Sequence, residues 1–293
     1  MKKSLLFLLI GFTSVVFVFS QDLPAYRIFN ADGQRVKYKQ MIRELQHADF
    51  VFYGELHNNP IAHWLELEIT RDLFTRHDSS GIVLGAEMFE SDNQLILNEY
   101  LSGLISRSRF EAECRLWPNY ATDYKPLVLL AKENHLPFVA TNVPRRYAAV
   151  VAKKGFEGLN ALSDAARQLL PPLPVLYNPE VPCYKNMLSM GGMGGMGAHV
   201  NANFPKAQAL KDATMANFIN RNWQPGELFI HYNGSYHSDH HEGIVWYLEK
   251  LQPEARIRVI TTISQKSLQN LEEQYLGQGD YIVVVPDRMT TTY

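Results

Sequence analysis

Six short runs of β-branched and aromatic residues recur along the chain: "ADFVFYGE" (48–55), "GIVLGAE" (81–87), "LPFVATNVP" (136–144), "ELFIHYNG" (227–234), "ARIRVITTI" (255–263) and "DYIVVVPD" (280–287). Most are almost continuously apolar rather than alternating. That is the pattern of strands buried on both faces, as in a parallel sheet covered by helices. Helical patterns lie between them. Asn59 followed by Pro60 reads as an N-cap and first-turn proline, opening a helix to about residue 77. "SDNQLILNEYLSG", "YKPLVLLAKENH" and "AQALKDATMANFINRNW" carry apolar residues at helical spacing. The alternation predicts an α/β fold, a mostly parallel β-sheet flanked by helices and joined by right-handed crossovers.

Two segments break this rhythm. "MKKSLLFLLIGFTSVVFVFS" joins two lysines to an unbroken apolar run ending in small residues, the form of a cleaved secretory signal over residues 1–20. The competing reading is a single membrane anchor. No cysteine follows the run, so lipid attachment is not expected there. A cleaved signal implies an exported protein, periplasmic or associated with an outer membrane. Residues 21–293 then form a single α/β domain, interrupted at about 155–205 by a smaller Pro/Gly/Met-rich, partly helical insertion.

Charge narrows the partners. With 28 basic and 30 acidic residues the net charge is −2, which supplies no broad field for nucleic acid or anionic membranes. The two cysteines, Cys114 and Cys183, are open to pairing in an oxidising compartment. There is no G-x-S-x-G elbow, G-x-x-x-x-G-K-[ST] loop or H-E-x-x-H helix.

Polar residues collect where the apolar runs stop, and ligands of open parallel sheets bind beyond the carboxyl ends of strands. The first run delivers Glu55 and His57, the second Glu87 and Glu90, the third Asn142, Arg145 and Arg146, the fourth His231, Asn233 and His237. His57 and His237, each three residues after a glycine, join with Glu87 or Glu55 as candidate ligands of a divalent transition metal. A hydrogen-bond network without metal is the other reading. His240 and His241 are expected at the surface. Arg145 and Arg146 suit an acidic ligand group such as a propionate, or pairing with Glu87 or Glu90. In the insertion, Tyr177 and Tyr184, with His199 after the Met-Gly tract, are residue types that hold ferric haem, or are loop residues with no ligand.

Five segments occur in order: "FYGELHNNPIAHWLELEI", "LGAEMFESDNQLILNEYL", "VATNVPRRYA", "AQALKDATMANFI" and "GSYHSDHHEGI". Over roughly residues 45 to 260 they resemble the ChaN-like haem-binding family, related to the TIKI proteases and erythromycin esterases, which share two G-x-x-H motifs. Here those motifs run Gly54 to His57 and Gly234 to His237, and the fourth segment supplies Gln208 and Asp212. The resemblance implies a protein of haem and iron acquisition, with haem held by a tyrosine in a pocket formed by a homodimer, working with outer-membrane uptake machinery. Its relatives imply an alternative, a metal-dependent hydrolase in which Glu55, His57, Glu87 and His237 activate water.

Overall fold

The structure is a computed structural model and describes residues 23–77, 81–190 and 202–293. The expected signal, the Met-Gly tract and His199 lie outside the described residues. Its sheet contains β1 (Arg27–Asn30), β2 (Phe50–Glu55), β3 (Ile82–Glu90), β4 (Phe138–Asn142), β5 (Leu228–Gly234), β6 (Ile257–Gln265) and β7 (Tyr281–Pro286). They lie in the order β1-β7-β6-β2-β5-β3-β4. Every pairing is parallel except β1 with β7. The α/β architecture expected from the alternating runs is therefore present. The antiparallel edge β1 was not expected, because "RIFN" offers only two apolar residues between polar ones.

Side-chain alternation on the strands builds two large cores, with a smaller cluster of Phe29, Ile263, Ile282 and Val284 at the β1 edge. Val51, Tyr53, Leu84, Ile230 and Tyr232 face one side. Against them pack α1 (Tyr38–Leu45), α2 (Pro60–Arg76), α3 (Gln94–Leu101), α4 (Arg107–Glu113) and α5 (Lys125–Glu133). Phe50, Phe52, Val83, Phe229 and Val259 face the other side. That face is covered by α6 (Arg145–Lys154), and after the short α7 (Asp164–Arg167) by α8 (Pro182–Met190), α9 (Phe204–Arg221) and α10 (Ile244–Leu251). Each fully buried phenylalanine contributes about 1.5–3 kcal/mol by leaving water. Cys114 belongs to the first core and Cys183 to the second, so the sheet separates them and both thiols are free.

The start of α2 follows its sequence signal. Asn59 Oδ1 accepts from the Ile61 and Ala62 backbone amides, both at 3.0 Å, while Pro60 occupies the first turn where no amide is needed. The third apolar run is shorter than expected as a strand, ending at Asn142, and the second is longer. A register break opposite β4 between Ala86 and Glu90 lets β3 continue to Glu90. Between 155 and 205 the described residues form a 3₁₀ turn (Phe156–Ala161), α7, irregular chain and α8 before α9 begins.

Candidate functional site

Adjacent strands β2, β5 and β3 end at the same edge, so their carboxyl-terminal residues meet. Gly54 permits the approach. A Cβ there would stand 2.8 Å from the Ser235 Cα, so the turn after β5 rests directly on the end of β2. Glu55 is buried, and its Oε1 accepts from His57 Nδ1–H at 2.6 Å and from the Tyr124 hydroxyl at 2.7 Å. That leaves His57 Nε2 directed at Gly234, where an added Cβ would lie 2.7 Å from it. The Gly234 amide donates to Glu87 Oε2 at 2.9 Å, and Glu87 Oε1 lies 3.3 Å from His237 Nε2. On its other side His237 Nδ1–H donates to Asp212 Oδ1 at 2.5 Å, and the Tyr184 hydroxyl donates to Asp212 Oδ2 at 2.7 Å.

The array is thus two imidazoles, each with a carboxylate on Nδ1, facing each other across Gly234 and Glu87. Its electrostatics follow from burial and pairing. Burial alone pushes His237 toward neutrality, but Glu87 and Asp212 outweigh it and raise its pKa to about 10. Burial likewise opposes ionisation of Glu87, yet His237 and then His57 hold its carboxyl far below the usual range. His57 moves upward, because the Glu55 hydrogen bond and the Glu87 charge exceed the effect of its burial. Glu55 stays below the ordinary carboxylate value against its burial, chiefly through His57.

Beneath Glu55 lies a second layer that the sequence does not announce. His63 Nδ1 is 3.1 Å from Glu66 Oε2 and 3.4 Å from Glu55 Oε2, and all three residues are buried. Burial and the neighbouring Glu55 push the Glu66 pKa well up. His63 Nε2 faces the His57 carbonyl at 3.1 Å. Asn119 Nδ2 donates to that same carbonyl at 2.8 Å and to Asp123 Oδ2 at 2.7 Å. His63 and Glu66 stand three residues apart on α2, a spacing that places them on one face. Asp123 and Tyr124 sit on a π-helical turn (Tyr120–Tyr124), a local widening common at functional sites.

Other expected residues fall elsewhere. Arg145 pairs with Glu90 at 2.7 Å and Arg146 with Asp92 at 2.5 Å, so both arginines take the pairing option, with Asp92 an unanticipated partner. His231 lies within β5 below the rim, bonded to Thr141 at 2.8 Å and Asn233 at 3.0 Å. Its burial lowers its pKa to about 4. Tyr184 is fully buried with its hydroxyl committed to Asp212, so as placed it supports His237 and offers no face to a porphyrin. Tyr177 is only partly buried, its ring edge-on to Phe156 at 5.6 Å and tilted against Tyr184 at 5.8 Å. His240 is exposed and His241 bonds Asp280 at 2.9 Å.

The expected metal set His57, Glu87 and His237 is brought together around Gly234. His237 Nε2 lies 3.3 Å from Glu87 Oε1 and its Nδ1 is held by Asp212, while His57 Nδ1 is held by Glu55. Among the described residues the donor atoms that converge within 4.8 Å belong to Glu55, His63 and Glu66.

Gly234 tests this geometry. Gly234→Ala is expected to push the His57 ring aside, cost about 1–3 kcal/mol, and move the His57 pKa down as its ring leaves Glu55 and Glu87. Urea unfolding and imidazole proton resonances followed against pH check both. An unshifted His57 signal would show that the ring does not lie against Gly234.

Residues 41–248 match the family model described as haem-binding uptake, Tiki superfamily, ChaN. Among solved structures, ChaN of Campylobacter jejuni, described with cofacial haem binding, superposes with a TM-score of 0.64 at 17% identity, over 89% of this chain and 96% of that one. The likeness shows a shared fold. An erythromycin esterase mutant in its open conformation aligns with a TM-score of 0.47 at 14% identity, over 89% of this chain and 82% of that one. No curated protein matches the sequence.

Proposed function

Because this chain belongs to the ChaN family of haem-binding uptake proteins in the Tiki superfamily, we propose that it is an exported carrier of ferric haem in iron acquisition. The family match over residues 41–248 is the observation that carries this reading. Tyr177 is the axial ligand in it. Of the two insertion tyrosines it alone keeps a partly open ring, beside the exposed Leu176 and against Phe156, an apolar surface suited to one porphyrin face. Haem supplies a ferric ion that a phenolate oxygen ligates. The chain's own part is to hold the Tyr177 ring edge-on to Phe156. A second copy of the chain covers the outer face of the haem, in keeping with the cofacial arrangement described for the Campylobacter protein. Export rests on residues 1–20 and delivery to outer-membrane machinery on the family's uptake role.

Titration with hemin tests the proposal. The expected result is a ferric high-spin tyrosinate spectrum together with a haem-dependent increase in mass to a dimer. In Tyr177→Phe the tyrosinate charge-transfer band disappears. A wild-type spectrum identical to free hemin would overturn haem binding, and an unchanged Tyr177→Phe spectrum would overturn the ligand.

A second reading has its own observation, the two carboxylate-bound imidazoles. Glu55 fixes the His57 ring so that its Nε2 is available as a general base for water, and imidazolium His237 is placed to donate a proton or stabilise an oxyanion. Ester hydrolysis by the purified protein that falls on the order of 100-fold or more in His57→Ala is expected on this reading. Hydrolysis unaffected by that substitution would sink it.

A further inference from the structure

We propose that Glu55, His63 and Glu66 form a binding site for one divalent first-row transition-metal ion, buried behind the His57 ring. The donor set comes first. One imidazole nitrogen and two carboxylate oxygens lie within 4.8 Å of one another. An ion about 2.0–2.2 Å from each donor needs any two of them no more than about 4.4 Å apart, and His63 Nδ1 lies 3.1 Å from Glu66 Oε2 and 3.4 Å from Glu55 Oε2.

Hydrogen bonding then fixes the lone pairs. His63 Nε2 faces only acceptors, the His57 carbonyl at 3.1 Å and Asp123 Oδ2 at 3.4 Å, so the ring proton belongs there. Asp123 is itself held by Asn119 at 2.7 Å and Thr292 at 2.9 Å. A histidine whose far nitrogen donates to a restrained carboxylate or carbonyl is how proteins orient a metal-bound imidazole. With that proton placed, His63 Nδ1 turns its lone pair toward Glu66 Oε2 at 3.1 Å and Glu55 Oε2 at 3.4 Å. Acceptor meets acceptor there, and a proton on Glu66 or an ion in its place joins them.

A second, independent observation points the same way. Glu55 Oε2 and Glu66 Oε1 are buried and find no donor on any other residue, so only a proton shared between the two carboxyls or an ion satisfies them, on residues 1% and 0% exposed. Two adjacent buried carboxyls do not both ionise unless a cation neutralises them; without one Glu66 keeps a proton, as its raised pKa reflects, and a bound ion takes that proton's place. Nitrogen and oxygen donors without sulfur suit Zn²⁺, Mn²⁺ or Fe²⁺.

Complete burial gives the ion a positioning role. Glu55 is shared between the two layers, with Oε2 toward the ion and Oε1 accepting from His57 and Tyr124. The ion thereby anchors the carboxylate that sets the His57 ring. The proposal stands apart from the haem reading, since His63 packs on the sheet face opposite Tyr177.

The full chain, stripped with EDTA and reloaded with Zn²⁺ or Mn²⁺, tests it. Elemental analysis is expected to find one ion per chain, with Tm raised by about 5 °C at saturating metal. X-ray absorption of the zinc-loaded protein is expected to show one imidazole and otherwise oxygen. Glu66→Gln is expected to weaken metal binding more than about 100-fold, beyond what loss of a partner behind a ligand costs. If that variant fails to fold, the wild-type absorption spectrum decides. Sub-stoichiometric metal, or a shell with two imidazoles that would place the ion at His57 and His237, overturns the proposal. Hemin titration of the stripped protein reads the haem function separately.

Discussion

Replacing Asp212 with alanine is expected to destabilise the protein by about 3–5 kcal/mol, the cost of breaking a buried ion pair from one side. The Asp212 carboxylate accepts from both His237 Nδ1–H and the Tyr184 hydroxyl, and all three side chains are buried. Alanine removes both acceptors at once. The imidazolium keeps only Glu87 at 3.3 Å, and the buried Tyr184 hydroxyl of α8 loses its charged acceptor beneath α9. Asp212→Asn preserves volume and one acceptor oxygen, so its loss should be about 1–2 kcal/mol. For a chain of this size the alanine variant corresponds to a Tm lower by on the order of 10 °C. Urea unfolding at pH 7 measures the difference. An alanine variant within about 1 kcal/mol of wild type would show that His237 is not held as a cation by this carboxylate.

The placement of Glu55, His57, Glu87 and His237 was legible because each follows an apolar run, and a buried strand that stops abruptly at charge announces its carboxyl end. Asp212 could be named only through its motif, since helical periodicity in "AQALKDATMANFI" does not say which turn faces β5. His63 and Glu66 were hidden for a similar reason. On α2 they read as ordinary polar positions, and only the packing of the π turn with Asp123 over that helix reveals that they are buried. The place of Tyr184 was not legible because its surroundings lack a period. The short helix α8 turns it inward, while Tyr177 in irregular chain stays at the surface. The free cysteines are a topological matter. Helices preceding β4 cover one face and those following it cover the other, which no spacing between Cys114 and Cys183 encodes.

Stability is expected to decline on the alkaline side, from about pH 6.5 upward. His237 has an ordinary pKa of 6.5 and a folded value of about 10, raised against its burial by Glu87 and Asp212. A cation favoured in the folded state stabilises fully below the unfolded pKa, and that contribution disappears as pH climbs through the folded one. The window is therefore about pH 6.5 to 10. The loss across it is on the order of 3–5 kcal/mol, since each pH unit separating the two values is worth about 1.36 kcal/mol. His57, also moved upward, adds to the same slope. Tyr184 does not, because burial and Asp212 push its phenol beyond that range. On the acid side Glu87 acts in the opposite sense. Its folded pKa lies far below 4.5, so its contribution is complete above that value and lost as pH falls beneath it. The pair as a whole is most stabilising between about pH 4.5 and 6.5. Urea unfolding at pH 6, 8 and 10 reads the alkaline limb, and His237→Gln is expected to flatten most of it. A stability unchanged from pH 6.5 to 9.5 would mean that His237 is neutral in the folded protein and that Glu87 stands alone beside it.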